Sequence, residues 1–239
     1  MKLRCLLSLL TAFCAFAAVA ADNTGSNPIL ATNAPTSLTS TKGTNDVIEL
    51  PVIGKNYTNL IGMELVPVPG GYWAGKYEVT QKEYQKIMMS NPSAFVNDKN
   101  PVDSVSWNDA MQFCTALTTE ELNKGALTNA YHYTLPTEAE WLALVGDASV
   151  DNAVTSLNGA VRQSSSMAGS EPANSLGLYD VYGNVMEFCL SEDAPDYRYL
   201  KGGSWEDHVD VNFRPEFRWK CAPDDKANTF GLRVLLKAN

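Results

Sequence analysis

The sequence predicts an α+β domain of about 180 residues with few regular elements and long ordered loops. Three helix starts share one side-chain signature. The apolar runs between them are short and stop at Gly, Pro or Asn, and much of the stretch from Asp147 to Ser175 is small and polar, without a sustained period.

At the N-terminus, Lys2 and Arg4 precede an uncharged apolar run from Leu6 to Val19 that ends in Ala17, Ala18, Ala20 and Ala21. This order predicts a cleavable signal peptide over residues 1–21, cut after Ala20 or Ala21, and hence a secreted or periplasmic protein. Phe13, ahead of Cys14, spoils the small-residue approach that lipid attachment favours, so the mature chain is expected to be soluble. Residues 22–56 are rich in Ser, Thr, Asn and Pro and too poor in apolar side chains to order themselves, which predicts a flexible linker ahead of a domain at 57–239. No later run reaches the ~20 apolar residues of a membrane span.

Within the domain a strand is expected over Met63–Val68. Helices are expected after Thr80, Ser106 and Thr137, each a hydroxyl with an acid three residues on (Glu83, Asp109, Glu140) that returns the hydrogen bond. Further strands are expected at Tyr131–Leu135, Tyr199–Leu200 and Phe230–Leu236, with residues 147–175 as loop or a marginal strand.

Charge and cysteine content exclude whole classes. The net charge is −9, and loss of Lys2 and Arg4 makes it 16 − 27 = −11, which disfavours nucleic acid. Cys114, Cys189 and Cys221 remain after cleavage and allow one disulfide at most; Cys114 shares an apolar helix face with Ala110, Phe113 and Leu117 and reads as a core residue. With His132 and His208 the only histidines, a multi-His metal site is excluded.

Six segments then occur in one order: KYEVTQKEY (76–84), PVDSVSWNDAMQFC (101–114), YTLPTEAEW (133–141), NSLGLYDVYGNVMEF (174–188), KGGSW (201–205) and FGLRV (230–234). Together they resemble the formylglycine-generating enzyme family, also called the sulfatase-modifying-factor domain. The resemblance covers about Gly62 to Leu236 and implies a C-type-lectin-like variant fold. Active members bind copper through two cysteines, two and seven residues after the aromatic that follows GGS, and oxidise a substrate cysteine to formylglycine. Those positions here are Asp207 and Asn212, which lack the soft thiolates that select Cu(I), so copper is not expected. Thr134, Leu142, Met186 and Phe188 also depart from the usual family pattern, as in a divergent branch.

The resemblance also implies a structural calcium ion. Asp180 and Glu187 match the family's acidic ligands, and the carbonyls of Gly183 and Val185 its other ligands. The competing reading is a turn in which Asp180 caps a backbone N–H and Glu187 faces solvent. Trp205, His208, Phe213, Phe217, Arg218 and Trp219 fall where a catalytic relative keeps its site, and these residue types anchor recognition surfaces, although half of such aromatics belong to cores. Two functions follow: a noncatalytic, calcium-stabilised module that binds a protein or glycan outside the cytoplasm, or a formylglycine-generating or related oxidoreductase acting on a protein cysteine such as a sulfatase's, with a rearranged site that uses Cys221 or a partner subunit.

Overall fold

The computed structural model describes residues 49–159, 161–191 and 196–239. The expected signal peptide and most of the expected linker lie outside the described residues. Residues 49–56 do not continue a linker: Pro51 is buried, and the carbonyl of Lys55 accepts the indole N–H of Trp73 at 2.7 Å, so the chain packs onto the domain several residues before Tyr57.

Two sheets carry the architecture. The first has the order β1-β2-β3-β9-β4, from Tyr57–Thr58 (β1), Glu64–Val68 (β2), Tyr72–Gly75 (β3), Tyr131–Thr134 (β4) and Leu235–Ala238 (β9), with every pair antiparallel. The second has the order β7-β6-β5-β8, from Met186–Cys189 (β5), Arg198–Lys201 (β6), Trp219–Cys221 (β7) and Phe230–Gly231 (β8); β5 and β8 run parallel. Among the described residues, 147–159 and 161–175 form loops with short 3₁₀ turns at Val150–Asn152 and Leu157–Gly159 and an isolated bridge from Val154 to Gly183.

The first sheet is buried on both faces. Leu65 and Leu236 point into one apolar cluster with Phe113, Leu117 and Tyr133, whereas Val66 and Leu235 point into a second with Trp141, Leu144 and Phe213. Burial on both sides explains why ELVPV and VLL read as near-continuous apolar runs rather than alternating ones.

Three helices, α1 (Gln81–Met88), α2 (Trp107–Lys124) and α3 (Glu138–Val145), start where the side chains predict. All three capping boxes form; at α1 the Thr80 hydroxyl accepts from Glu83 N, and the Glu83 carboxylate accepts from Thr80 N at 2.8 Å. Each cap is worth about 1 kcal/mol.

One expected strand is two. Phe230–Leu236 contributes β8 to the second sheet and β9 to the first, and Leu232, Arg233 and Val234 cross between them, fully buried. Its hydrophobicity is continuous because both sheets bury it, so composition gives no sign of the change of sheet. The three described cysteines are free and buried, with no disulfide.

Candidate functional site

After β6 the chain turns through Gly202 and Gly203. Gly203 has φ 70°, and a Cβ there would lie 2.5 Å from the Phe213 ring, so only glycine lets the two segments close. Beyond it, Asp207 folds back: one carboxylate oxygen accepts from Ser204 N at 2.7 Å and from the Ser204 hydroxyl at 2.8 Å, and the other accepts from the Asn212 side-chain amide. The main chain is tied as firmly. Thr155 and Ser156 both donate to the Asp207 carbonyl, Ser156 Oγ donates to Trp205 O, and Trp205 N donates to Asn184 O at 3.0 Å.

Asp207 and Asn212, the positions where active relatives carry copper thiolates, are therefore brought together as the sequence comparison requires, but they are spent on each other and on Ser204. The lock contains oxygen and amide groups only, which Cu(I) does not select. Cys221 does not replace the missing sulfur. It lies on β7, buried and away from Asp207 in sequence, its thiol donating to the Arg198 carbonyl and its pKa pushed by burial up to about 11, which disfavours the thiolate.

Beside the lock lies an open groove of about 610 Å³, lined by Ser156, Val161, Arg162, Gln163, Trp205 and His208 among others. Val161 is 87% exposed, an apolar side chain held in solvent at the groove wall. Arg162 is fixed from behind by Nε donating to Thr155 O at 3.0 Å, and its guanidinium lies 3.8 Å from Glu171. Trp205 is itself nearly buried, its indole N–H donating to Asn228 O and its ring meeting Phe95 edge-on at 5.6 Å.

The other residues expected on this surface divide. Phe213 is core, because it fills the space above Gly203. Phe217 is half-buried, with its carbonyl accepting from Lys201 Nζ at 2.6 Å. Arg218 pairs with Glu138 at 2.9 Å and covers the Tyr199 ring, while Trp219 is exposed on the edge strand β7. Only Trp205 and His208 of the six line the groove. Val161, Arg162 and Gln163 come from a polar loop some forty residues upstream, and no local pattern marks them in the sequence.

The acids of the expected calcium turn are buried, Glu187 included, which is therefore not the solvent-facing side chain of the competing reading. Glu187, fully buried, accepts on one oxygen from Arg233 Nε (2.9 Å) and Nη2 (2.7 Å), and on the other from the Trp141 indole at 2.9 Å. Asp180 accepts from Gly169 N at 2.6 Å; its second oxygen, also buried, has no partner. Glu78 closes the turn from below, accepting from Asn184 Nδ2 and Val185 N. Burial, with the charges of Asp180 and Glu187 behind it, holds the Glu78 carboxyl well above its usual range, and burial raises Asp180 to about 6. A Cβ on Gly183 would meet the Val154 carbonyl at 2.5 Å, so backbone occupies the space beside the turn. Among the described residues, no three or more His, Cys, Asp or Glu side chains are arranged to hold a metal ion. As placed, Glu187 does not fit the calcium role that the resemblance implies.

Fold and motifs together define a sulfatase-modifying-factor domain of the C-type-lectin-like type. The chain matches the Sulfatase-modifying factor enzyme 1-like domain over residues 55–238 and belongs to that family. Among relatives, "Chaperone protein LppX" of Paenibacillus barcinonensis is 31% identical over 199 residues, covering 59% of this chain and 71% of that protein. "Inactive C-alpha-formylglycine-generating enzyme 2" of Mus musculus is 27% identical over 202 residues; the match covers 72% of this chain and 57% of the mouse protein, little more than half of its length. Among solved structures, Treponema denticola variable protein 1 superposes with a TM-score of 0.59 at 22% identity, covering 84% of this chain and 99% of that one.

Proposed function

We propose that this is an exported, noncatalytic member of the family that uses the groove beside Trp205 and His208 to hold a segment of a protein partner, in a chaperone or assembly role. The observation that carries the reading is the Asp207 lock. Where an oxidase needs two thiolates free to take copper, this chain has a carboxylate and an amide already paired with each other and with Ser204. Two relatives support it by name, one a chaperone protein and one an inactive enzyme.

What remains once the chemistry is gone is a rigid scaffold with an open, mixed groove. Val161 offers apolar contact, Arg162, Gln163 and His208 offer polar contact, and the loops behind them are pinned by main-chain hydrogen bonds. Rigid loops of this composition suit recognition, because little ordering entropy is lost on binding. Export rests on the charge order and the Ala-rich boundary at residues 1–21.

The test is a fluorescence titration with reduced, carboxymethylated α-lactalbumin as an unfolded polypeptide probe. Saturable binding, weakened by Val161→Asp and by His208→Glu, supports the reading. Binding unchanged by both substitutions removes the groove from it.

A further inference from the structure

We propose that the polypeptide segment held in the groove beside Trp205 is apolar at its centre and cationic at its ends, with a Lys or Arg side chain of the partner reaching Glu206. The inference rests on the groove reading above and adds the partner's chemistry to it. It is carried by the charge left free at the groove, by the apolar side chains held in water there, and by the groove's size.

Apart from His208, the ionisable side chains that line the groove are Arg162 and Glu206, and they are placed differently. Arg162 is committed to its own loops. Its Nε donates to Thr155 O at 3.0 Å, Nη1 donates to Ser166 Oγ at 3.3 Å, and Nη2 lies 3.8 Å from Glu171, which opposes its charge before any ligand arrives. Glu206 is exposed, and among the described residues its carboxylate has no hydrogen bond or ion pair. Asp207 follows it, and both Asp207 oxygens accept from neutral groups, Ser204 and Asn212, so no cation offsets that charge either. The net charge of −9 on the whole chain has the same sign. A surface whose available charge is negative draws a cation and repels an acid.

The apolar part of the groove is equally available. Val161 is 87% exposed, and Val209, one residue past His208, is 43% exposed. Covering such side chains is favourable in proportion to the apolar area removed from water. The volume of about 610 Å³ lies in the range of sites that enclose a small ligand. It therefore fits a few side chains of an extended segment, whereas a folded partner needs about 800 Å² of surface on each side.

The test uses fluorescence anisotropy of three labelled nine-residue peptides with the same Val-Phe-Val centre, flanked by Lys, by Gln or by Glu. The lysine-flanked peptide is expected to bind the full-length mature protein about 10-fold more tightly than the glutamate-flanked one in low salt, and the gap is expected to close as salt is raised. Val161→Ser, which removes apolar contact without adding charge, should weaken all three peptides. Glu206→Lys, on an exposed side chain, should abolish or reverse the preference for lysine. Binding that Val161→Ser weakens but that ignores the flanking charge, the salt and Glu206→Lys would overturn this inference and leave the groove reading standing, as would a preference for the glutamate-flanked peptide. Saturable binding of none of the three would overturn the groove reading and this inference with it.

Discussion

Glu121, on α2, is a buried carboxyl whose nearest partners are all neutral, and this makes the domain's stability depend on pH in a direction that can be stated in advance. It is fully buried and accepts from Tyr133 OH at 3.0 Å, from Tyr57 OH at 3.4 Å and from Leu60 N at 3.2 Å. Burial raises its pKa from 4.5 to about 7, against the pull of those three donors. Because the folded value lies above the unfolded one, the folded protein keeps a proton between about pH 4.5 and 7 that the unfolded chain has released. The associated stability is fully present below pH 4.5 and is lost as pH rises through 7. A change of this size corresponds to about 3 kcal/mol, or very roughly 6–12 °C in a domain of this length.

Glu121→Gln keeps the shape and removes the titration. The assay is urea unfolding of both proteins at a series of pH values between about 5 and 8.5, with the wild-type minus variant difference read at each. Subtraction cancels the contributions of the other buried carboxyls, Glu78 and Asp180, which titrate in both proteins. The wild type should lose ground to the variant as pH rises to about 7 and hold a constant deficit above about 8. Parallel curves, or a wild type that gains on the variant as pH rises, would refute the assignment of the proton to Glu121.

Asp207→Ala should cost about 1–3 kcal/mol in urea unfolding, since it orphans Ser204 N and the Asn212 amide together. Gly203→Ala should cost a similar amount, because its Cβ meets the Phe213 ring at 2.5 Å and its φ is 70°; Tm by calorimetry checks it. Val161→Asp, on an exposed side chain, should leave stability within about 0.5 kcal/mol while weakening polypeptide binding. N-terminal sequencing of the protein recovered outside the cytoplasm should begin at Ala21 or Asp22, and a chain still starting at Met1 would contradict export.

What the sequence makes legible is local chemistry. Thr80, Ser106 and Thr137 mark their helices because a cap needs only four consecutive residues, and the same spacing in Ser204-Trp-Glu-Asp207 is a signal for the lock that a cap-minded reading of the loop would catch. Arg233 also leaves a trace, as a charge inside an apolar run that only a buried partner explains. That partner is 46 residues away and cannot be read from spacing. Glu78 and the turn it closes are separated by 106 and 107 residues, and the groove joins Val161 to Trp205 across loops without periodicity. Of the aromatics after GGS, Phe213 is core, packed against Gly203, and Trp205 is mostly buried yet lines the groove, a division that tertiary packing decides.

The proposed function holds that the lock at Asp207 and Asn212 ends the family's oxidation chemistry in this chain. It is tested most directly by incubating the purified protein with a sulfatase-type cysteine peptide, copper and oxygen, and measuring the peptide's mass. An unchanged thiol peptide, with an active relative converting the same sample, is the predicted result. Loss of the thiol mass in favour of an aldehyde, abolished by Cys221→Ser, would contradict it and place the chemistry on a rearranged site.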